Sequence, residues 1–397
     1  MTKLELRVDE GVIAIRTTPV YAILCGFKLG ESPGVGTFYD FFPRLWRAST
    51  PHKTGRVKRR LKKPRTLVSS TYAADTPLLG YKWGNSVIWY QNNGTNTVYK
   101  SIWTTGASEW NSATVATLGT DTYSPLTAGN KSVSNVTWDG IMEPVVSNGL
   151  FQSAKVWVNT YYTEQSHYLS EPNAIQSIAT HELGHALGLA HAPSNTFSVM
   201  VPATFFSDGS FARIQYFPGL GDIASVDSLY SNSFAKPDVG ENAQVNEKNV
   251  VDIEISWSKW YLNLEHLAED ADLVVKAQVR SKVGTIITGE NYHDFKQKSE
   301  INIKEVLKGD PELINKDVIL YQIGGENKDV LVRYHGTTVL NQNDNVILYL
   351  KKIGENEYIP INEDVSIFKL NSANQLVNLQ SNEVFTESKL IEESRLK

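Results

Sequence analysis

Residues 181–191 of the chain read HELGHALGLAH. This stretch matches the pattern H-E-x-x-H-x-x-G-x-x-H at every fixed position, which rarely happens by chance. Residues four apart project from one face of a helix, so the imidazoles of His181 and His185 can reach a single metal ion. The stretch therefore predicts a helix that carries two metal ligands.

His191 can join these ligands only if the chain turns, because on a continuing helix its imidazole would point along a different face. Gly188 provides the turn, since a residue without a Cβ readily adopts the left-handed conformation that ends a helix. Three protein ligands leave the fourth tetrahedral position of Zn²⁺ to water, which is the arrangement of catalytic zinc sites. We predict one zinc ion per chain, bound by His181, His185 and His191.

Glu182 follows the first ligand directly. Its carboxylate is expected within hydrogen-bond reach of a water at the metal, as a general base that takes a proton and later delivers one to a leaving amine. Isolated histidines on helices are more often surface or core groups than ligands. The glycine and the third histidine at fixed spacing favour the metal site.

The residues before His181 predict a helix of about fifteen residues. Ser170 is expected to cap its N-terminus, and Pro172 suits its first turn. The apolar stripe at helical spacing consists of Ile175, Ile178, Ala179 and Leu183. The metal-binding residues therefore lie on an amphipathic helix.

With these residues in place, the chain resembles the metzincin metalloproteases and, among them, the matrixins. Residues 198–202 (SVMVP) are similar to the Met-turn, and this likeness places Met200 beneath the metal site. The strand ending at Asn159 is similar in position to the edge strand that binds extended peptide by strand addition. Residues 222–230 resemble the closing helix of matrixin domains. The resemblance implies an endopeptidase that hydrolyses internal peptide bonds of extracellular proteins.

The length of 397 residues favours more than one domain. A polar stretch with Pro and Gly indicates a linker, and the short apolar runs beyond it are typical of strands. The predicted fold class is α+β: a metzincin-like catalytic domain, with a twisted mixed sheet and the active-site helix, followed by a small antiparallel β domain. The predicted divisions are a leader or pro-region (1–75), the metzincin-like zinc metalloprotease domain (76–232), the linker (233–250), a small β-rich accessory domain (251–380) and a charged tail (381–397).

The first 75 residues contain a basic run, HKTGRVKRRLKKPR, at 52–65. Its RVKR segment is the pattern that a dibasic processing protease cuts, although a solvated basic tail is the more common meaning of such a run. Cys25 is the only cysteine, which excludes an intramolecular disulfide and a zinc site built on several thiolates. Its thiolate could inhibit the zinc site, but a small buried side chain is the commoner role.

The net charge of −5, with no strongly basic domain, gives no indication of nucleic acid as a partner. No apolar run reaches the ~18 residues of a transmembrane helix. Protein or peptide substrates are the partners expected, and the resemblance implies secretion although no clear signal peptide is visible. Calcium and the oligomeric state are unassigned. Two alternatives stay open: a catalytically silent zinc-containing binding module, and a zinc hydrolase with a non-protein substrate.

Overall fold

The computed structural model describes residues 6–9, 12–15, 75–194, 196–231 and 248–394 of the chain. Two compact units are distinguished, Met1–Val68 and Ser69–Lys397. In the first unit, β1 (Leu6–Asp9) pairs antiparallel with β2 (Val12–Ile15). The basic run at 52–65 and Cys25 lie outside the described residues, so the hypotheses about them stay predictions.

A seven-stranded mixed sheet organises the first part of the second unit. Its strands, together with the separate strand β9, are in chain order β3 (Val87–Asn93), β4 (Thr117–Thr120), β5 (Leu126–Lys131), β6 (Trp138–Ser147), β7 (Leu150–Asn159), β8 (Ala203–Phe206), β9 (Asn249–Asp252) and β10 (Glu254–Trp260). Across the sheet the order is β4, β3, β5, β7, β6, β10, β8. Strands β3, β4, β5 and β7 run parallel, whereas β6 is antiparallel to β7. The sheet is therefore mixed, as predicted.

Strand β7 lies inside this sheet. It pairs with β5 on one side and with β6 on the other, so the prediction that the strand ending at Asn159 is an edge strand is wrong. The antiparallel strand β6 lies beyond it, followed by β10. The sequence does not predict β6, because Gly140 and Pro144 are both unfavourable in the interior of a strand.

Five helices accompany the sheet: α1 (Thr97–Ala113), α2 (Thr160–Thr163), α3 (Ser166–Leu169), α4 (Pro172–Ala186) and α5 (Leu220–Tyr230). The long helix α4 is the predicted one, and Pro172 is in its first turn. The prediction that Ser170 caps α4 is wrong, because Ser170 ends α3 and Glu171 stands at the N-cap of α4. The short helix α3 uses the residue that local sequence favours for the start of α4.

The core beneath α4 is aromatic. Trp103 and Trp110 of α1 are fully buried in one cluster with Leu183 of α4 and Val156 of β7. The indole N–H of Trp110 donates to the Thr180 carbonyl group over 2.9 Å. This contact fixes α1 against the turn of α4 that precedes the first histidine.

The later strands form most of two further sheets. They are β11 (Leu273–Ile287), β12 (Phe295–Lys308), β13 (Asp317–Ile323), β14 (Gly325–Glu326), β15 (Val330–Arg333), β16 (Asn345–Gly354), β17 (Glu357–Pro360), β18 (Ile367–Leu370), β19 (Leu376–Asn378) and β20 (Val384–Phe385). An eight-stranded sheet runs β11, β12, β13, β17, β16, β18, β19, β20, and an added β11–β16 pairing closes five of its strands into a ring. Strands β14, β15 and β9 form a third sheet.

Two helices accompany these strands, α6 (Leu264–Asp270) and α7 (Glu387–Ser394). Helix α7 belongs to the segment predicted as a charged tail, and it buries Leu390 in a cluster with Leu267 and Phe368. The described helices include none that is both long and apolar enough to cross a membrane.

Candidate metal centre

The end of α4 turns the chain towards the third histidine of the pattern. The Leu189 N–H group donates to the Gly184 carbonyl oxygen over 3.1 Å, and the Gly188 N–H group to that of His185 over 2.8 Å. These two bonds are the Schellman pattern of helix ends. Gly188 has φ +100°, and a Cβ there would lie 2.7 Å from the carbonyl oxygen of Tyr81. A residue with a side chain would therefore be strained and crowded at this turn.

The three histidines converge. Ring nitrogens of His181, His185 and His191 all lie within 4.8 Å of one another, and the Nε2 atoms of His185 and His191 are 3.2 Å apart. Two nitrogens bound to one tetrahedral Zn²⁺ at about 2.0–2.1 Å are separated by about 3.3 Å. The spacing of these two rings therefore fits a single zinc ion.

Backbone carbonyl groups fix the tautomers of two rings. Nδ1 of His181 lies 2.8 Å from the carbonyl oxygen of Val199, and Nδ1 of His185 lies 2.7 Å from that of Leu189. A carbonyl oxygen only accepts, so each Nδ1 donates and each Nε2 keeps its lone pair for a metal. Nε2 of His181 is buried and has no hydrogen-bond partner among the described residues. A buried atom of this kind calls for a ligand, and a zinc ion would satisfy it.

Burial also favours the neutral form of the three rings. It lowers the pKa of His185 to about 3 and the pKa of His181 and of His191 well below the usual value. Neutral imidazole is the form that binds a metal. The donor set, its spacing and its charge state all fit zinc.

Glu182 is enclosed beside the histidines. Both carboxylate oxygens are buried without a hydrogen-bond partner among the described residues. A Cβ on Gly140 of β6 would overlap Oε1 of Glu182, so bare backbone lies against the carboxylate. Burial raises the pKa of Glu182 well above its usual value, and the positive charge of Arg213 opposes this shift.

Arg213 is the buried cation of the site. Its guanidinium donates to the Val201 carbonyl oxygen over 3.2 and 3.1 Å and to the hydroxyl groups of Ser177 and Ser256 over 3.2 and 2.7 Å. The Ser256 hydroxyl in turn donates to the buried carboxylate of Asp139 over 3.1 Å. No sequence pattern brings these residues together, because they come from α4, the loop after β8, β6 and β10.

Met200 packs against Gly184 of the metal-site helix. Its side chain is fully buried, and a Cβ on Gly184 of α4 would overlap its Sδ atom. This close approach requires glycine at position 184. Met200 thus packs against α4 between the first two histidines of the pattern in sequence, and its role beneath the metal stays a prediction.

Asp222 of α5 holds the segment that carries Met200. Its carboxylate accepts hydrogen bonds from the Ser198 hydroxyl over 2.6 Å and from the Val199 N–H group over 3.0 Å. The carbonyl oxygen of Val199 accepts the bond from His181. Asp222 is thus linked to the first histidine through one residue, Val199. In the sequence, Asp222 is recognisable only as the first residue of the segment that resembles the closing helix.

A comparison with protein families agrees with this geometry. Residues 103–231 match the family model described as Peptidase M10, matrixin. This region is a matrixin-like domain. The six predicted site residues all fall inside it: His181, Glu182, His185, Gly188, His191 and Met200.

Other comparisons add little to the matrixin-like assignment. No curated protein matches the chain. Among solved structures, a chain of the GM1 bound form of the ECX AB5 holotoxin is similar at 13% sequence identity, with 41% of this chain and 90% of that chain covered and a TM-score of 0.26. A likeness at that TM-score supports no conclusion about the fold or function of this chain. The matrixin-like match ends at residue 231, ahead of β9 and β10.

Proposed function

We propose that the matrixin-like domain is a zinc-dependent endopeptidase. His181, His185 and His191 would hold one zinc ion, and Glu182 would serve as general base and then as general acid. The convergence of the three imidazoles beside a buried carboxylate carries the proposal. The family match over the same residues supports it, because matrixins are a family of zinc metalloproteases.

When bound, zinc supplies a Lewis acid that activates water and polarises the scissile carbonyl group. The proton transfers are the work of the chain itself. Glu182 takes a proton from the attacking water at one carboxylate oxygen and delivers it to the leaving amine. Gly188 directs the chain to His191, and Met200 supports the histidines from below.

The surroundings of Glu182 favour an extended peptide as substrate. Strand β6 passes beside Glu182 through Gly140, and β8 begins at Ala203, shortly after Met200. A strand laid between β6 and β8 can form main-chain hydrogen bonds on both sides, and β10 has this position in the structure. Recognition by strand addition suits internal bonds of a polypeptide better than a non-protein substrate.

Four further assignments belong to this proposal. The enzyme would be secreted and act on extracellular proteins. Residues 1–75 would be a leader or pro-region. Residues 233–250 would link the catalytic domain at 76–232 to an accessory domain at 251–380, for which the eight-stranded sheet gives support. The tail at 381–397 would pack on that domain through α7.

The test compares the zinc-loaded full chain with its Glu182→Ala variant on casein, an unstructured protein, with zinc content measured for both. The proposal expects one zinc per chain in both proteins and cleavage only with Glu182. The His181→Ala variant should lose the zinc. Measurable cleavage at the same rate by wild type and Glu182→Ala, or no zinc in either, would contradict the proposal. Zinc in both proteins with no cleavage by any form, including an Ile255→Ala variant with a loosened β10, would favour the silent binding module.

A further inference from the structure

Strand β10 belongs by sequence to the C-terminal part of the chain but lies in the sheet of the matrixin-like domain. It pairs antiparallel with β6, with Ser256 opposite Gly140 and Ile255 opposite Ile141. On its other side it pairs parallel with β8, and the Trp257 N–H group donates to the Pro202 carbonyl oxygen over 2.8 Å. The strand thus fills the space between the two segments that flank the candidate site.

This position places β10 beside the proposed catalytic carboxylate. Directly opposed residues of an antiparallel pair project on the same face, and the Cβ direction of Gly140 points at Glu182. Ser256 therefore faces the side of the sheet on which Glu182 lies. Both oxygens of Glu182 are shielded from solvent, and His181 and His185 are 0% exposed. A peptide could not reach Glu182 along β6 while β10 is in place.

Side chains of β10 anchor it in this space. The Ser256 hydroxyl accepts a bond from the Arg213 guanidinium over 2.7 Å and donates to Asp139 over 3.1 Å. Ile255 and Trp257 are buried in one apolar cluster with Ile141 of β6 and Val201. The anchoring combines main-chain pairing, a polar contact and apolar burial, as a bound peptide would.

We propose that Glu254–Trp260 is a built-in occupant of the peptide groove, which holds the activity of the zinc-loaded chain low except when this strand transiently leaves. The inference rests on the proposed function and names the regulation of the same site. Because the strand is part of the same chain, it competes with substrate at a high effective concentration. Access of a substrate peptide to Glu182 therefore depends on how stably β10 is bound between β6 and β8. A substitution that weakens this binding raises the peptidase activity.

The test uses two isoleucines that are both 0% exposed, Ile255 in β10 and Ile303 in β12. Each is replaced by alanine in the zinc-loaded full chain, so both variants lose the same buried volume. The proposal expects Ile255→Ala to raise kcat/KM for casein peptides at least tenfold over wild type. Ile303→Ala should stay within twofold of wild type.

A second pair of variants, with smaller changes in volume, lowers the risk that a variant fails to fold. Ser256→Ala removes the contact with Arg213, whereas Ser366→Ala removes another buried hydroxyl, which donates to the Glu363 carbonyl oxygen over 3.1 Å. Only Ser256→Ala should raise activity. A synthetic peptide with the sequence of residues 249–262 should inhibit the opened Ile255→Ala enzyme competitively, and the same composition in scrambled order should not.

A second readout does not depend on turnover. Phenanthroline, a zinc chelator, should remove zinc from Ile255→Ala several-fold faster than from wild type and Ile303→Ala, because His181 and His185 become accessible. Equal activity and equal zinc release in wild type and both β10 variants would overturn latency while leaving the endopeptidase intact. Faster zinc release from Ile255→Ala without any cleavage would confirm the occlusion and contradict the endopeptidase.

Discussion

Gly140 and Glu182 are in direct contact across the β6–α4 interface, because a Cβ on Gly140 would overlap Oε1 of Glu182 and lie 2.7 Å from Cγ2 of Ile178. The position of the proposed base is thus set by a strand that carries no side chain at this point. Catalysis by a positioned carboxylate is sensitive to displacements of about 1 Å. The contact therefore couples the position of strand β6 to the position of the proposed general base.

Replacing Gly140 with alanine should displace the Glu182 carboxylate. We expect kcat/KM for a casein peptide to fall about tenfold or more, with stability lowered by about 1–3 kcal/mol through overpacking. Zinc content should not change. Gly84→Ala is the matched control, since a Cβ there meets nothing within 4 Å. Unchanged kinetics in Gly140→Ala would show that Glu182 does not need this position.

Gly188→Ala should weaken the turn that presents His191. The left-handed conformation costs a side chain about 1–2 kcal/mol, and the contact with the Tyr81 carbonyl group adds to this cost. Gly209 has φ +84° with nothing within 4 Å of its Cβ position. Gly209→Ala therefore introduces the backbone strain without a steric contact. Urea unfolding should show the larger loss for Gly188→Ala, and zinc titration should show weaker binding only there. Equal zinc affinity in both variants would contradict the role of Gly188.

Asp222→Asn should weaken zinc binding from a distance. The amide of Asn keeps only one acceptor oxygen, so one of the two bonds that the Asp222 carboxylate accepts from Ser198 and Val199 is lost and the segment that orients His181 loosens. Changes to groups that orient metal ligands typically lower metal affinity by about 10–100-fold. The control is Asp227→Asn on the same helix, whose amide oxygen can still accept the bond from the Val115 N–H group. Competition with a fluorescent zinc chelator measures the difference, and equal affinities would refute the link.

Glu254 in β10 should make stability depend on pH. Burial first, and Asp252 second, raises its pKa from 4.5 to about 8. Between these values the native chain holds a proton that the unfolded chain has released, so the free energy of unfolding falls as pH rises, by up to about 1.4 kcal/mol per pH unit. The titratable groups that act electrostatically with Glu254 are Asp252, Tyr81, Tyr334 and Glu182.

Those groups are present in both the wild type and Glu254→Gln. The difference between the two proteins in the pH dependence of the free energy of unfolding therefore reports on Glu254. Urea unfolding at pH 5, 6.5 and 8 should show a slope in wild type that is smaller in Glu254→Gln. The exposed Glu290→Gln serves as control and should keep the wild-type slope. A slope unchanged by Glu254→Gln would contradict the buried, protonated state.

The sequence predicts the helix α4 and the convergence of its histidines because both follow local rules. The spacing of His181 and His185 is a property of one helix, and Gly188 is a requirement of one turn. Ser170 shows the limit of local rules: it is a good helix cap by type, but the added helix α3 ends there. Whether Ser170 ends α3 or begins α4 cannot be predicted from its residue type alone.

The parts that the sequence missed depend on contacts between distant segments. The role of Gly140 depends on its contact with Glu182, and the role of Arg213 depends on its hydrogen bond to Ser256. Both partners are distant in sequence. Strand β10 reads as the start of a second region, yet it pairs with β6 more than a hundred residues earlier in the chain. Strand order is set by such long-range pairing, which hydrophobic periodicity does not encode.

The central claim is that Glu182 drives peptide-bond hydrolysis at a zinc centre. The most direct measurement is mass spectrometry of casein fragments made by zinc-loaded Ile255→Ala, with and without the second change Glu182→Gln, at equal zinc content. We expect internal cleavage by Ile255→Ala and a loss of at least about a hundredfold in rate when Glu182 is also replaced. Equal fragmentation by both proteins, or intact casein with both, would contradict the claim.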